Sequence, residues 1–286
     1  MNRMQSKTIS LVLGSGGARG LAHIGIIKYL NDRGYQIKSV SGSSIGALIG
    51  GFFCAGKLDD YEKWVTSLDA FDIISLLDFN GNSGLISGKK IFKELQKIVG
   101  NANIENLNIK FTAVACDTNE EKEVWLNKGD LLKAIRASIS IPIIFTPVTY
   151  GKYTLVDGGV LNPVPIAPTF GDKTDLTIAV NLGGKRSSES LLKEPSKKEQ
   201  NIKNQMKDYI VNLSLKNSIF ENKILSIANS SFDTMQSNIS RMKLSAYPPD
   251  VEVIIPRNIC GMFEFYRAKE LIEYGYEVAS KELNLL

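Results

Sequence analysis

Histidine is nearly absent: the 286 residues contain one, His23. A metal site with two imidazole ligands is therefore excluded, and chemistry that needs a histidine base must use His23 or do without. Cysteine is scarce too, with Cys54, Cys116 and Cys260 scattered and odd in number. They give no zinc spacing and no disulfide framework, and read as reduced thiols of a cytoplasmic protein. No run of about 18 apolar residues occurs, so no membrane-spanning helix is expected. The basic start MNRMQSK leads into TISLVLGSGGARG, where glycines and Arg19 stand in place of a signal-peptide core and cleavage site. A charge excess of one sign is also missing: 34 Lys and Arg against 30 Asp and Glu leave +4. With no basic stripe interleaved with aromatics, no nucleic-acid partner is expected. Such a charge does not oppose peripheral contact with an anionic membrane surface, but does not argue for it.

What is present is an ordinary core-forming composition, 43% hydrophobic and 22% charged, in a chain long enough for one large domain. Residues 8–14 read as a buried strand, 20–33 as a helix, 37–42 as a strand and 45–56 as a helix of small and apolar residues. Helices are predicted over 59–69, 88–99 and 130–138, and strands over 109–117, 122–126, 152–157 and 175–181. Residues 184–200 are the most polar stretch and read as a surface loop. A long amphipathic helix is expected to follow, through Ile202, Met206, Tyr209, Leu213, Phe220, Ile224, Ile227 and Met235, ended by Pro248 and Pro249. A strand at 251–255 and a helix at 264–283 close the chain. Alternating strands and helices imply an α/β fold, a mostly parallel sheet covered on both faces. No repeat and no boundary divides the chain, so 1–286 reads as one domain, with 184–250 as a lid or surface insertion.

Three short motifs carry chemistry. Gly42-Ser43-Ser44-Ile45-Gly46 lies between a predicted strand and helix, in the G-x-S-x-G pattern of a nucleophile elbow. So tight a turn needs glycine on both sides, and it pushes the Ser44 hydroxyl out of the fold. Gly14-Ser15-Gly16-Gly17-Ala18-Arg19-Gly20 is a second strand-to-helix loop, whose exposed amides can hold an anion or a developing oxyanion. A dinucleotide loop would need glycine at Arg19 and an acidic residue near the end of the second strand. A phosphate-binding Walker loop would need a following Gly-Lys-Ser/Thr. Asp157, in Asp157-Gly158-Gly159, ends a predicted strand where open α/β sheets gather their sites. Each motif also has a structural reading, as a simple turn.

Together, and in this order, the three motifs resemble the patatin-like phospholipase family. That family combines a GGxRG loop (Gly16 to Gly20 here), a GxSxG serine (Ser44) and an aspartate in DGG or DGA (Asp157). The stretches 137–148, 156–166 and 263–279 are similar to its bacterial branch related to neuropathy target esterase. Ser15 departs from the glycine common at that place. The resemblance implies a three-layer α/β/α fold, a Ser44–Asp157 dyad, and an oxyanion hole from Gly16, Gly17 and Ala18. It implies a lipid ester substrate, an acyl-enzyme, and no metal or other cofactor. Gly42 and Gly46 shape the elbow. Arg19 either steers a phosphate headgroup or pairs with a carboxylate. His23 is expected to pack locally and not to act as base. Phe52, Phe53, Ile143, Ile144 and Phe145 are candidates for an acyl trench, with core packing as their other role. A thioesterase or transacylase with the same nucleophile, and a lipid-binding module without catalysis, remain open at this stage.

Overall fold

The computed structural model describes residues 7–78, 85–189, 191–192 and 219–284. Among the described residues, eight strands form one sheet: β1 (Thr8–Leu13), β2 (Gln36–Ser43), β3 (Lys110–Asp117), β4 (Lys122–Leu126), β5 (Val148–Tyr150), β6 (Tyr153–Asp157), β7 (Leu176–Gly184) and β8 (Val251–Pro256). Their order is β5-β6-β3-β2-β1-β7-β8, with β4 on β3 off this path. The pairs joining β3, β2, β1, β7 and β8 are parallel, and those made by β4, β5 and β6 are antiparallel. The helices are α1 (Ala22–Asp32), α2 (Ile45–Cys54), α3 (Leu58–Ser67), α4 (Ala70–Leu76), α5 (Lys89–Val99), α6 (Leu131–Ser138), α7 (Ile219–Ala246) and α8 (Ala268–Glu282).

The sheet is covered on both faces, as its apolar strands require. In β1, Ile9, Leu11 and Leu13 enter the main core, while Val12 joins Val164, Ile166, Ala179 and Leu244 of α7. Successive strand side chains point to opposite faces, so β1 is buried twice over. Helices α1 and α8 cross at close range: a Cβ on Gly25 would lie 1.9 Å from the Ile272 carbonyl oxygen, and one on Gly275 2.1 Å from that of Ala22.

One topological detail positions the site. β2 pairs with β3 as far as Ser43 opposite Val114, and β6 takes over with Asp157 opposite Ala115. β4 occupies the other edge of β3 from Ala113 to Asp117. β2 and β6 therefore lie end to end along one edge of β3. Because β2 runs parallel and β6 antiparallel to β3, their C-terminal ends meet.

The elements differ from expectation in a few places. The helix predicted from residue 20 begins at Ala22, because Gly17–Leu21 winds into a tighter 3₁₀ turn. The last helix starts at Ala268, after a similar turn over Phe265–Arg267. The short α4 and β5 were not anticipated. The long amphipathic helix is described over Ile219–Ala246, reaching past Met235 and stopping before Pro248 as expected. Its predicted part over 202–218, and most of the polar stretch 184–200, lie outside the described residues.

Candidate active site

The strand–turn–helix around Ser44 is as tight as its glycines require. Ser44 has φ 56° and ψ −125°, a conformation costly for a side-chain-bearing residue. A Cβ on Gly42 would lie 2.4 Å from the Gly46 carbonyl, and one on Gly46 2.1 Å from the Leu13 carbonyl oxygen. The strained turn is held from below: the Ser44 N–H donates to Ser138 Oγ (3.0 Å), whose hydroxyl donates to the Val114 carbonyl (2.6 Å). The same segment fixes the aspartate, since the Asp157 N–H donates to the Ser140 carbonyl (2.9 Å). Sequence reasoning missed this role of Ser138 and Ser140; a serine at a helix end has many local uses, and its sequence carries no marker for this one.

The meeting of β2 and β6 brings Ser44 and Asp157 together. Asp157 is fully buried. Its Oδ1 accepts the Gly159 N–H at 2.7 Å, while Oδ2 has no partner of ordinary hydrogen-bond geometry. Burial pushes the carboxyl up to about 7; hydrogen bonding with Ser44 and with the Gly159 amide opposes this. The Ser44 hydroxyl thus faces the carboxylate closely enough to interact with it.

One of the three loop amides expected in the oxyanion hole is already bonded. Ala18 N–H donates to the Met262 carbonyl at 2.9 Å, which removes it from the expected oxyanion hole. The cause is the 3₁₀ turn, which directs that amide toward the loop before α8. Gly16 and Gly17 N–H have no hydrogen-bond partner among the described residues. Gly17 has φ +57°, and a Cβ there would meet Met262 at 2.8 Å, so this position needs glycine. Arg19 is buried and takes the structural alternative: it pairs with Asp233 of α7 at 2.9 Å. Ser15 donates its N–H to the Pro163 carbonyl and lies beside Gln236.

His23 is fully buried, with Nε2 2.9 Å from the Gly14 carbonyl, an acceptor that requires Nε2 to carry the proton. Burial lowers its pKa to about 4, so the ring is neutral near pH 7. It buttresses the start of the glycine loop. His23→Ala is expected to lower unfolding free energy by about 2–4 kcal/mol, from the lost packing and the orphaned carbonyl. Denaturant titration measures this, and the folded variant keeps most of the parent turnover. A fully stable but inert variant would contradict the buttress role.

Ser44 and Gly17 stand at the wall of an open cavity of about 120 Å³. Every other lining residue is aliphatic, aromatic or methionine, contributed by α2, α3, α4 and α5, the turn at 139–145 and the loop at 262–265. Of the proposed trench residues only Phe145 lines it. Phe52 is buried in the main core, Phe53 packs against that core, Ile144 packs in a satellite cluster, and Ile143 is 63% exposed.

Similarity to known proteins follows the same lines. The family model for patatin-like phospholipases matches residues 11–170, which include all three motifs. The chain belongs to the patatin-like phospholipase family. A Mycobacterium tuberculosis protein described as an uncharacterized NTE family protein is 34% identical over 97% of this chain and 92% of its own length. The lysophospholipase NTE1 of Debaryomyces hansenii is 29% identical over 63% of this chain, which spans 12% of that longer protein. VipD from Legionella pneumophila, a solved structure, covers 98% of this chain with TM-score 0.48 and 13% identity. The matched region of this patatin-like phospholipase contains both Ser44 and Asp157.

Proposed function

We propose that the protein hydrolyses fatty-acyl esters of lipids, with Ser44 as nucleophile and Asp157 as its base. One observation carries this reading: a strained serine beside a buried, high-pKa carboxylate opens onto an almost wholly apolar cavity. Ser44 Oγ attacks the ester carbonyl as its proton passes to Asp157. The oxyanion is held by the Gly16 and Gly17 amides, and the proton then goes to the departing alcohol. Water, deprotonated by Asp157, attacks the acyl-enzyme; the returning proton restores Ser44 and the fatty acid leaves. The described lining is almost wholly apolar, so binding there rests on apolar burial, about 25 cal/mol per Å².

Contact with a lipid surface is part of the same reading. Phe71 on α4 and Ile143 in the 139–145 turn are 59% and 63% exposed, on two elements that also wall the cavity. Ile143 holds φ 72°, an unusual conformation for a β-branched residue. The test is release of fatty acid from lysophospholipid or phospholipid vesicles against hydrolysis of soluble nitrophenyl esters. Long-chain esters should exceed acetate at least about tenfold in kcat/KM, since each buried CH₂ contributes about 0.8 kcal/mol. Phe71→Ser with Ile143→Gly should slow vesicle turnover while sparing the soluble ester. Equal activity on acetate and long-chain esters would count against the acyl cavity.

A further inference from the structure

Every nitrogen of the buried Arg19 guanidinium is committed. Nε donates to the Gly16 carbonyl (2.8 Å), Nη1 to the Arg257 carbonyl (2.8 Å), and Nη2 to Asp233 Oδ1 (2.9 Å). The first bond matters most for chemistry. A peptide group is planar and trans, so its C=O and N–H point in opposite directions. Holding the Gly16 oxygen toward Arg19 therefore aims the Gly17 N–H of the same peptide the other way. That N–H has no partner among the described residues, and Gly17 lines the cavity with Ser44. The neighbouring amide is locked on Met262, and Gly17 carries no side chain to resist rotation. Without the Arg19 bond the Gly16–Gly17 peptide would be soft, because glycine on both sides tolerates either orientation.

We propose that the Arg19–Asp233 pair is a positioning device that fixes the Gly16–Gly17 peptide with its N–H facing Ser44, making α7 a working part of the site. This rests on the hydrolase reading and adds a partner to it. Asp233 touches neither Ser44 nor Asp157, and is itself half exposed beside the buried arginine. Its carboxylate gives Arg19 its only ionic partner among the described residues. Without it the guanidinium loses one of the three bonds that set its rotamer, and the Nε–Gly16 bond loosens. An arginine fork is needed here; the three donors of a lysine ammonium sit on one atom and cannot span the acceptors that Nε, Nη1 and Nη2 reach. The helix also closes the polar side of the loop, with Gln236 Nε2 3.3 Å from Ser15 Oγ and Ser237 Oγ donating to the Gly183 carbonyl.

The test uses the full chain with Asp233→Asn, Asp233→Glu and Arg19→Lys, a soluble nitrophenyl ester, and a trifluoromethyl ketone that mimics the tetrahedral adduct. Asp233→Asn should lower kcat about tenfold with KM nearly unchanged, a fraction of the 10²–10³-fold loss seen when an oxyanion donor is removed outright. Ketone affinity should weaken by the same factor, while product fatty acid binds as before, and Asp233→Glu should recover most of both. Arg19→Lys should lose at least as much; if it fails to fold, the two Asp233 variants decide the matter. An Asp233→Asn enzyme with parent kcat, or one whose loss lies in KM or stability alone, overturns the device. A parent chain inert toward ester and fluorophosphonate alike overturns the hydrolase reading, and the device with it.

Discussion

Ser44→Ala is expected to reduce ester turnover by at least about 10⁴-fold, the scale on which serine hydrolases lose rate without their nucleophile. The size of the effect follows from the lack of a substitute. Ser43 is fully buried and does not line the cavity; its Oγ is packed so closely on Gly158 that a Cβ there would come within 2.6 Å of it. Ser138 is spent between the Ser44 amide and the Val114 carbonyl, and Ser15 lies under α7 beside Gln236. None can take over the attack. Stability should change by less than about 1 kcal/mol, since alanine keeps the Cβ and only one hydroxyl is removed. A fluorophosphonate should add its mass at Ser44 of the parent and nowhere in the variant. Labelling that persists in Ser44→Ala, or an alanine variant with ordinary turnover, would move the nucleophile elsewhere.

Much of the frame was legible in the sequence. Strands such as TISLVL at 8–13 and KFTAVACD at 110–117 announce themselves by runs rich in apolar and β-branched residues, and Gly14 marks the end of the first. The elbow was legible because only glycine tolerates its close contacts, so chemistry and sterics wrote the same letters. What could not be read is non-local. Nothing near Ser44 or Asp157 says that β2 and β6 share one edge of β3; that depends on strand pairings set by the whole core. The partner of Ala18 N–H is a carbonyl in the loop at residue 262, invisible to a local motif. The cavity lining was missed for a different reason. Apolar residues such as Val65, Ile73 and Leu95 on short helices look alike whether they fill a core or surround empty space. For α4 a signal did exist: Asp69 and Asp72 form a reciprocal cap, each side chain accepting the other's amide.

Asp157→Asn should separate function from stability. The base must be ionised to accept the Ser44 proton, and its pKa is raised to about 7. In the parent, kcat/KM should therefore rise about tenfold per pH unit below neutrality and level off above it. The asparagine variant should lose at least about 10³-fold at every pH, with no such limb. Its stability should move the other way. An unfolded aspartate ionises near its ordinary 3.8, and the folded one only near 7. The folded carboxyl binds its proton more tightly, so its contribution is most favourable below about 4. It is lost progressively as pH rises toward 7, and the loss is complete above that. The gap between those two values corresponds to at most about 4 kcal/mol. Asparagine, neutral throughout, escapes this loss and can still accept the Gly159 amide. The variant should thus resist denaturant better than the parent at pH 8 and no better near pH 4, where both side chains are uncharged. His23 contributes with the opposite sign between about 6.5 and 4, because the unfolded chain takes up a proton that the buried ring refuses. It is common to both proteins and cancels in the difference. A parent that equals or exceeds Asp157→Asn in stability at pH 8 would mean that the carboxylate is solvated there, and so too weak a base for the Ser44 hydroxyl.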